Sequence, residues 1–209
     1  GKDSLRVRSS ILSEIKEGEI ALQKPQDILE NDIKITIIDE RHAMIRNGHI
    51  MAELFVQEWG NSLQITYRNQ KNEILLREIA NGGALMKKAR KYKALPSGNF
   101  RLTVTFESNP EEKIYGMGGY QQEILNLKGC NLELAHRNSQ VSIPFYISNL
   151  GYGFLWHNAS IGEVHFGLNT TEWIAEASQG MDYWITVGET PKQIEEQYAA
   201  CTGTAPMMP

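Results

Sequence analysis

The chain has 209 residues, of which 41% are apolar and 22% charged, and its formal net charge is −4. This length and composition are sufficient for a globular core. The acidic balance argues against nucleic-acid binding, which needs a concentrated basic surface, and the short basic run 87–91 is interpreted as solvated. No apolar run approaches the ~20 residues of a membrane span, so we expect no membrane partner.

The two cysteines, Cys130 and Cys201, lie far apart and lack metal-ligand spacing. We therefore expect two unpaired thiols. The five histidines show no zinc-site spacing either, and we predict neither a metal nor a cofactor. No signal peptide precedes residues 5–8, which already alternate like a strand, so the chain is interpreted as trimmed at its start.

Alternation of apolar and polar residues dominates the chain. It begins at 5–8 and recurs in residues 33–37, 50–56, 63–67, 102–106 and 141–147, and further strands are expected at 154–156, 164–168 and 183–187. A period of two indicates half-buried antiparallel strands. Asn47-Gly48 between two such runs is a hairpin signal, because both residues tolerate positive φ. Short strands with regular turns favour a sandwich over βαβ units.

Four segments are less regular. Residues 78–92 have a weak helical pattern, interrupted by Gly82-Gly83. The glycine-rich residues 116–119 are interpreted as a tight turn at a sheet edge, since no helix follows to form a phosphate site. Residues 124–127 look like a strand. Pro144 predicts an edge or an irregularity in its strand.

The C-terminal region predicts a short helix. Thr190 can cap a helix and Pro191 suits its first position, while Ile194, Tyr198 and Cys201 recur at helical spacing. Gly203 is a plausible stop.

Few residues stand out as candidates for catalysis or ligand binding. His136, Arg137 and Asn138 interrupt the strand pattern with polar groups, as binding loops between strands do. The 25 acidic residues offer no distinctive catalytic pair, and the four tryptophans are more typical of a core than of a sugar-stacking site. From the residues alone, the chain is a β-sandwich of unspecified function.

A family resemblance goes further. Ordered fragments carry it: residues 112–118, 137–146, 151–156, 182–184, 188–191, 197–198, 202–204 and 206–209. In this order they resemble the N-terminal domain of glycoside hydrolase family 31, which includes α-glucosidases and α-xylosidases. The resemblance implies an all-β fold, a galactose mutarotase-like antiparallel β-sandwich (supersandwich) with a short C-terminal helix. It implies a sandwich domain over residues 1–189 and a helix and linker over 190–209 that lead to a catalytic (β/α)₈ barrel outside this chain.

The same resemblance bears on function. The family's catalytic aspartates lie on the barrel, so no catalytic residue is expected in this chain, and the whole enzyme would be a retaining α-glycosidase. The N-terminal domain lends a loop to the substrate pocket, here His136-Arg137-Asn138. Some relatives carry aspartate where Asn138 stands, so this residue would bring hydrogen bonds without charge. Tyr120 is a further candidate for the pocket wall.

Segments 127–129 and 133–138 resemble bacterial α-xylosidase-type members more than starch-cleaving ones. The expected partners are an α-glycoside or oligosaccharide substrate and the barrel itself. A large apolar patch should mark the barrel-facing surface, and a homo-oligomer is a further expectation. The compartment stays open between bacterial cytoplasm and periplasm. Two alternatives remain: a stand-alone carbohydrate-binding module, and a mutarotase-like epimerase, which needs a histidine and a glutamate in one groove.

Overall fold

The computed structural model describes residues 1–15, 21–23, 33–58, 62–83 and 87–204. In these ranges the chain forms strands joined by short turns and ends in one helix. The strands are β1 (Ser4–Ser9), β2 (Ile33–Asp39), β3 (His42–Asn47), β4 (Ile50–Val56), β5 (Leu63–Arg68), β6 (Ile74–Arg77), β7 (Arg90–Ala94), β8 (Phe100–Glu107), β9 (Ile114–Gly119), β10 (Asn131–Leu134), β11 (Val141–Ser148), β12 (Tyr152–Trp156), β13 (Gly162–Phe166), β14 (Thr170–Ser178) and β15 (Met181–Val187), and the helix is α1 (Pro191–Thr202).

The strands form three antiparallel sheets of five strands each. Sheet I has the order β1-β15-β12-β11-β9, sheet II the order β10-β13-β14-β8-β7, and sheet III the order β2-β3-β4-β5-β6. An isolated bridge between Glu78 and Phe106 links the end of sheet III to sheet II. The all-β prediction with a short C-terminal helix is confirmed.

One continuous core draws residues from all three sheets. Its aromatic centre contains Phe154, whose ring centroid lies 5.0 Å from that of Tyr183 and 5.2 Å from that of Trp173. Trp156, Trp173 and Trp184 are buried, as the core interpretation predicts, and Trp59 lies outside the described residues. Both cysteines are free thiols, as expected. No helix in the described part is long and apolar enough to cross a membrane.

Helix α1 begins as its sequence predicts. The Thr190 hydroxyl accepts from the Gln193 amide, the Gln193 side chain accepts from the Thr190 amide, and Pro191 occupies the first turn. The helix packs on sheet I through Ile194 and through Tyr198, whose ring stacks on Phe145 at 4.0 Å between centroids. This contact buries an apolar stripe that a short helix needs in order to persist.

The burial of two predicted strands differs from expectation. Ile33, Ile35 and Ile37 are 44%, 66% and 78% exposed although their alternation matches that of buried β4. The reason is that β2 is the edge strand of sheet III, and in the described part of the chain no element covers its apolar face. In β11, Val141 and Ile143 are likewise exposed, whereas Phe145 is buried under α1.

Two predicted elements are wrong. Within residues 78–83 and 87–92 no helix forms, because the Glu78 amide donates to Ile65 and the Thr105 amide donates to Ala89, which pairs this segment with strands instead. Residues 84–86 lie outside the described part. Residues 124–127 form a loop rather than a strand: the Leu127 amide donates to the Ile114 carbonyl and the Asn126 side chain accepts from the Ile114 amide, so this segment bonds locally to the start of β9 instead of pairing along a strand. Ile124 and Leu125 are exposed while Leu127 is buried.

The glycine-rich residues 116–119 lie at a sheet edge as predicted, but they belong to β9 and form no turn. Gly116 and Gly118 have φ values of 116° and 95°, and a Cβ on Gly118 would lie 2.3 Å from the Val141 carbonyl oxygen. Glycine is therefore required where β9 approaches β11. The β9–β11 register shifts between Ser142 and Tyr146, around Pro144, which confirms the predicted irregularity.

Candidate functional site

The candidate loop joins β10, the edge strand of sheet II, to β11 in sheet I. It closes as a tight turn in which the Arg137 amide donates to the Gln140 carbonyl at 3.0 Å and the Gln140 amide donates back at 3.2 Å. Asn138 and Ser139 are the two residues at the tip. The loop thus passes from sheet II to sheet I.

Side chains hold the base of this loop. The Tyr120 hydroxyl lies 2.8 Å from the Glu133 carbonyl oxygen, to which it donates, and 2.9 Å from the Ser142 hydroxyl. The Gln140 side-chain amide donates to the Ala135 carbonyl at 3.0 Å. Burial, aided by the nearby Glu133 charge, raises the pKa of Tyr120, so its hydroxyl keeps its proton and its bond. Tyr120, predicted as a pocket wall, anchors the loop in this chain.

The tip residues face solvent. His136, Arg137 and Asn138 are all exposed. The Arg137 guanidinium turns back onto Glu133, with Nε 3.1 Å from Oε2, and this carboxylate raises the pKa of Arg137. In the described part of the chain, the side chains of His136 and Asn138 make no hydrogen bond. Both can donate and accept, which suits recognition of a hydroxyl group.

Some exposed apolar side chains are close to the loop in the sequence. Val141 and Ile143 follow it directly on β11 and are 52% and 42% exposed. Ile124 and Leu125, in the segment after Tyr120, are 52% and 79% exposed. The apolar surface that the sequence led us to expect stays a prediction, and these four residues are candidates for it.

The structure also places a histidine against glutamates, which the sequence interpretation did not expect. His165 Nε2 lies 2.9 Å from Glu163 Oε2, and its Nδ1 lies 4.0 Å from Glu172 Oε2. Glu163 and His165 are two residues apart at the start of a predicted strand. Residues with this spacing share one face of a strand, and this was the signal in the sequence that could have predicted their contact. This group is separate from the loop: His165 pairs with Asn131 at the start of β10, whereas the loop follows its end.

Two clefts lie elsewhere on the described surface. One of about 300 Å³ is lined by residues that include His157 and Asp182, and the other, of about 530 Å³, lies between α1 and the β3–β4 turn. Residues 136–138 line neither of them. The loop is an exposed polar projection that lies apart from both clefts.

These features define an all-β domain of antiparallel sheets with an exposed polar loop between two of them. Residues 5–164 match the glycosyl hydrolase 31 N-terminal galactose mutarotase-like domain. The chain therefore belongs to this family, and the resemblance drawn from its motifs is confirmed.

Individual relatives of the chain come from the same family. A protein from Pseudescherichia vulneris named an uncharacterized family 31 glucosidase is 41% identical over 100% of this chain and 41% of its own length. An α-xylosidase from Saccharolobus solfataricus is 28% identical over 85% of this chain and 26% of its own length. The crystal structure of a family 31 α-xylosidase from a soil metagenome, complexed with xylose, superposes with a TM-score of 0.91 at 41% identity. That match covers 100% of this chain and 32% of that chain, so the chain spans well under half the length of these relatives.

Proposed function

We propose that this chain is the non-catalytic N-terminal part of a retaining α-glycosidase of the α-xylosidase type, with α-glucosidase activity as the nearest alternative. Its role is to support the catalytic barrel and to lend the loop 136–138 to the substrate pocket. The observation that carries the proposal is the 41% identity, over the whole chain, to an α-xylosidase complexed with xylose.

The position of α1 supports a barrel-facing surface on sheet I. Helix α1 covers Phe145 and Trp184 on this sheet, and the chain continues from its end. Val141 and Ile143 precede Phe145 on the same strand and are exposed. A catalytic part that follows α1 would extend the cover from the helix over these residues. Burial of exposed apolar surface stabilises such a contact by about 25 cal/mol per Å².

The loop geometry supports sugar contact. The Tyr120 and Gln140 hydrogen bonds fix the base of the loop while His136 and Asn138 keep their hydrogen-bonding groups available. A rigid base with unsatisfied polar groups at the tip limits the entropy lost when a sugar hydroxyl binds. The two active carboxylates of a retaining enzyme would come from the barrel.

The first test compares two proteins, this chain and the protein at its natural length, with 4-nitrophenyl α-xyloside and α-glucoside. We expect hydrolysis only by the longer protein, and faster with the xyloside. Hydrolysis by this chain alone would overturn the non-catalytic role. Preference for the glucoside would replace α-xylosidase by α-glucosidase.

The second arm of the test changes the loop in the natural-length protein. Asn138→Ala removes one hydrogen bond to substrate, worth about 1–2 kcal/mol, so kcat/KM should fall roughly 5- to 30-fold. The matched control is Lys93→Ala, an exposed residue on β7 at the opposite edge of sheet II. Equal kcat/KM in both variants would show that Asn138 does not contact the substrate, and it would leave the family assignment intact.

A further inference from the structure

His157 lies directly after β12 and is only 2% exposed. Its Nε2 accepts hydrogen bonds from two consecutive backbone amides, Ala21 at 3.0 Å and Leu22 at 3.2 Å. An imidazole nitrogen accepts only when it carries no proton, so Nε2 is unprotonated in this arrangement. Two adjacent amides that converge on one atom form a site for negative or electron-rich groups.

The opposite side of the ring determines the tautomer. Nδ1 lies 3.1 Å from Asp182 Oδ2 and donates its hydrogen to it. Arg6 Nη2 is 3.4 Å from the same ring nitrogen, but both groups are donors, and Arg6 instead donates to both oxygens of Asp182 at 2.9 and 2.6 Å. Burial alone raises the pKa of Asp182, but the hydrogen bonds from Arg6 and His157 outweigh it and lower that pKa. His157 is therefore a neutral ring held between a carboxylate and two amides.

The residues that His157 holds connect to the end of α1. Residues 21–23 form a short strap: the Gln23 amide donates to the Cys201 carbonyl at 2.8 Å, and Leu22 packs with the cluster that includes Trp184 and Ile194. Cys201 lies in the last turn of α1, just before the chain leaves the helix. The strap thus ties the interior of sheet I to the exit of the helix.

We propose that His157 is a proton-sensitive latch, which holds the strap against the end of α1 when neutral and releases it when protonated. A proton on Nε2 would turn an acceptor into a donor that points at two N–H groups. Histidine is the side chain that proteins most often use as a pH-dependent switch, because its ring nitrogens exchange acceptor and donor roles with one proton. The latch is independent of the proposed sugar contact.

The charges around His157 set how readily the latch opens. Asp182 on β15 favours a protonated ring, whereas Arg6 on β1 opposes a second positive charge. Arg8 and Glu14 line the 300 Å³ cleft beside the ring. Because Asp182 is already paired with Arg6, the arginine charge offsets part of the attraction between the Asp182 carboxylate and a protonated histidine.

Hydrogen exchange of the natural-length protein tests the latch between about pH 7.5 and pH 5.5, with rates corrected for the intrinsic effect of pH. We expect peptides that span the strap and the last turn of α1 to lose protection together on acidification. Uptake of one proton limits the change in the opening equilibrium to about tenfold per pH unit. Peptides from β14 in the core should keep their protection. A wild-type strap whose corrected protection is the same at both pH values overturns the proposal.

Three variants separate a latch from a merely structural histidine. His157→Gln keeps an acceptor near the position of Nε2 but gains no proton, so the strap should stay protected at both pH values. His157→Ala should leave the strap exposed at both. His165→Gln, a half-buried histidine outside the latch, should retain the wild-type pH dependence. The proposal fails if His157→Gln, with β14 still protected, responds to pH like the wild type, or if His165→Gln abolishes the response.

Discussion

Two regions of the molecule contain the same arginine–carboxylate pair in opposite surroundings. In the interior, Arg90 donates through Nε and Nη2 to Glu78 at 2.9 Å each, and the two side chains are 17% and 0% exposed. At the candidate loop, Arg137 pairs with Glu133 in the same forked manner, but these side chains are 60% and 44% exposed. The chemistry is identical and only the burial differs.

The difference separates a structural contact from an adaptable one. Glu78 follows β6 and also accepts from the Ile65 amide, while Arg90 begins β7, so the pair joins sheet III to sheet II. Burial raises the pKa of Glu78, and the Arg90 charge and hydrogen bonds oppose that rise. The loop pair is solvated, so it orients Arg137 without locking the tip. The interior pair thus holds two sheets together, whereas the loop pair leaves the tip exposed to a partner.

The largest effect is expected in the interior. Arg90→Met leaves the Glu78 carboxylate buried without its partner, which should cost about 3–5 kcal/mol of the free energy of unfolding. Urea unfolding followed by tryptophan fluorescence measures it. The double variant Glu78→Leu with Arg90→Met should recover much of the loss, because no charge is left buried. If Arg90→Met alone were as stable as the wild type, water would have to reach the Glu78 carboxylate.

An intermediate effect is expected at Asp182, whose pair with Arg6 is 19% and 33% exposed. Its lowered pKa means that its stabilising contribution is present above the unfolded value of about 4 and is lost as pH falls through the folded value. Asp182→Asn should therefore cost about 1–2 kcal/mol at neutral pH and flatten the acid limb of the stability curve. Asp39→Asn, at the exposed end of β2, is the control. An unchanged acid limb in Asp182→Asn would contradict the assignment.

The smallest effect on stability is expected at the loop. Arg137→Ala should leave the urea midpoint unchanged within error, because an exposed ion pair is screened by water. Arg101→Ala, which removes a comparable exposed pair with Glu176, is the matched control. In the natural-length protein, only Arg137→Ala should raise KM for the α-xyloside. Equal KM values in the two variants would indicate that the loop pair plays no part in substrate binding.

Much of the fold was predictable because its signals are local. Alternation located β4, β5 and β8, and the Thr190-Pro191 start located α1, since both depend on neighbours within a few residues. The loop His136–Asn138 was found by its polar break between strands, and its exposure agrees with that prediction. Whether it contacts sugar stays a prediction. The strand at 124–127 was wrong because a short apolar run does not report whether a partner strand lies beside it.

By itself, the sequence determined the strands with clear alternation, the C-terminal helix and the family to which the chain belongs, but it did not predict β6, β7, β10 or β14. Only the tertiary structure decided what each face meets: Ile35 is exposed on an edge strand while Ile65, with the same alternation, is buried between sheets. The same holds for His157, whose amide partners lie 136 and 135 residues away. The physical reason is that alternation records a difference between two faces of a strand, whereas burial and long-range hydrogen bonds depend on how the three sheets are stacked.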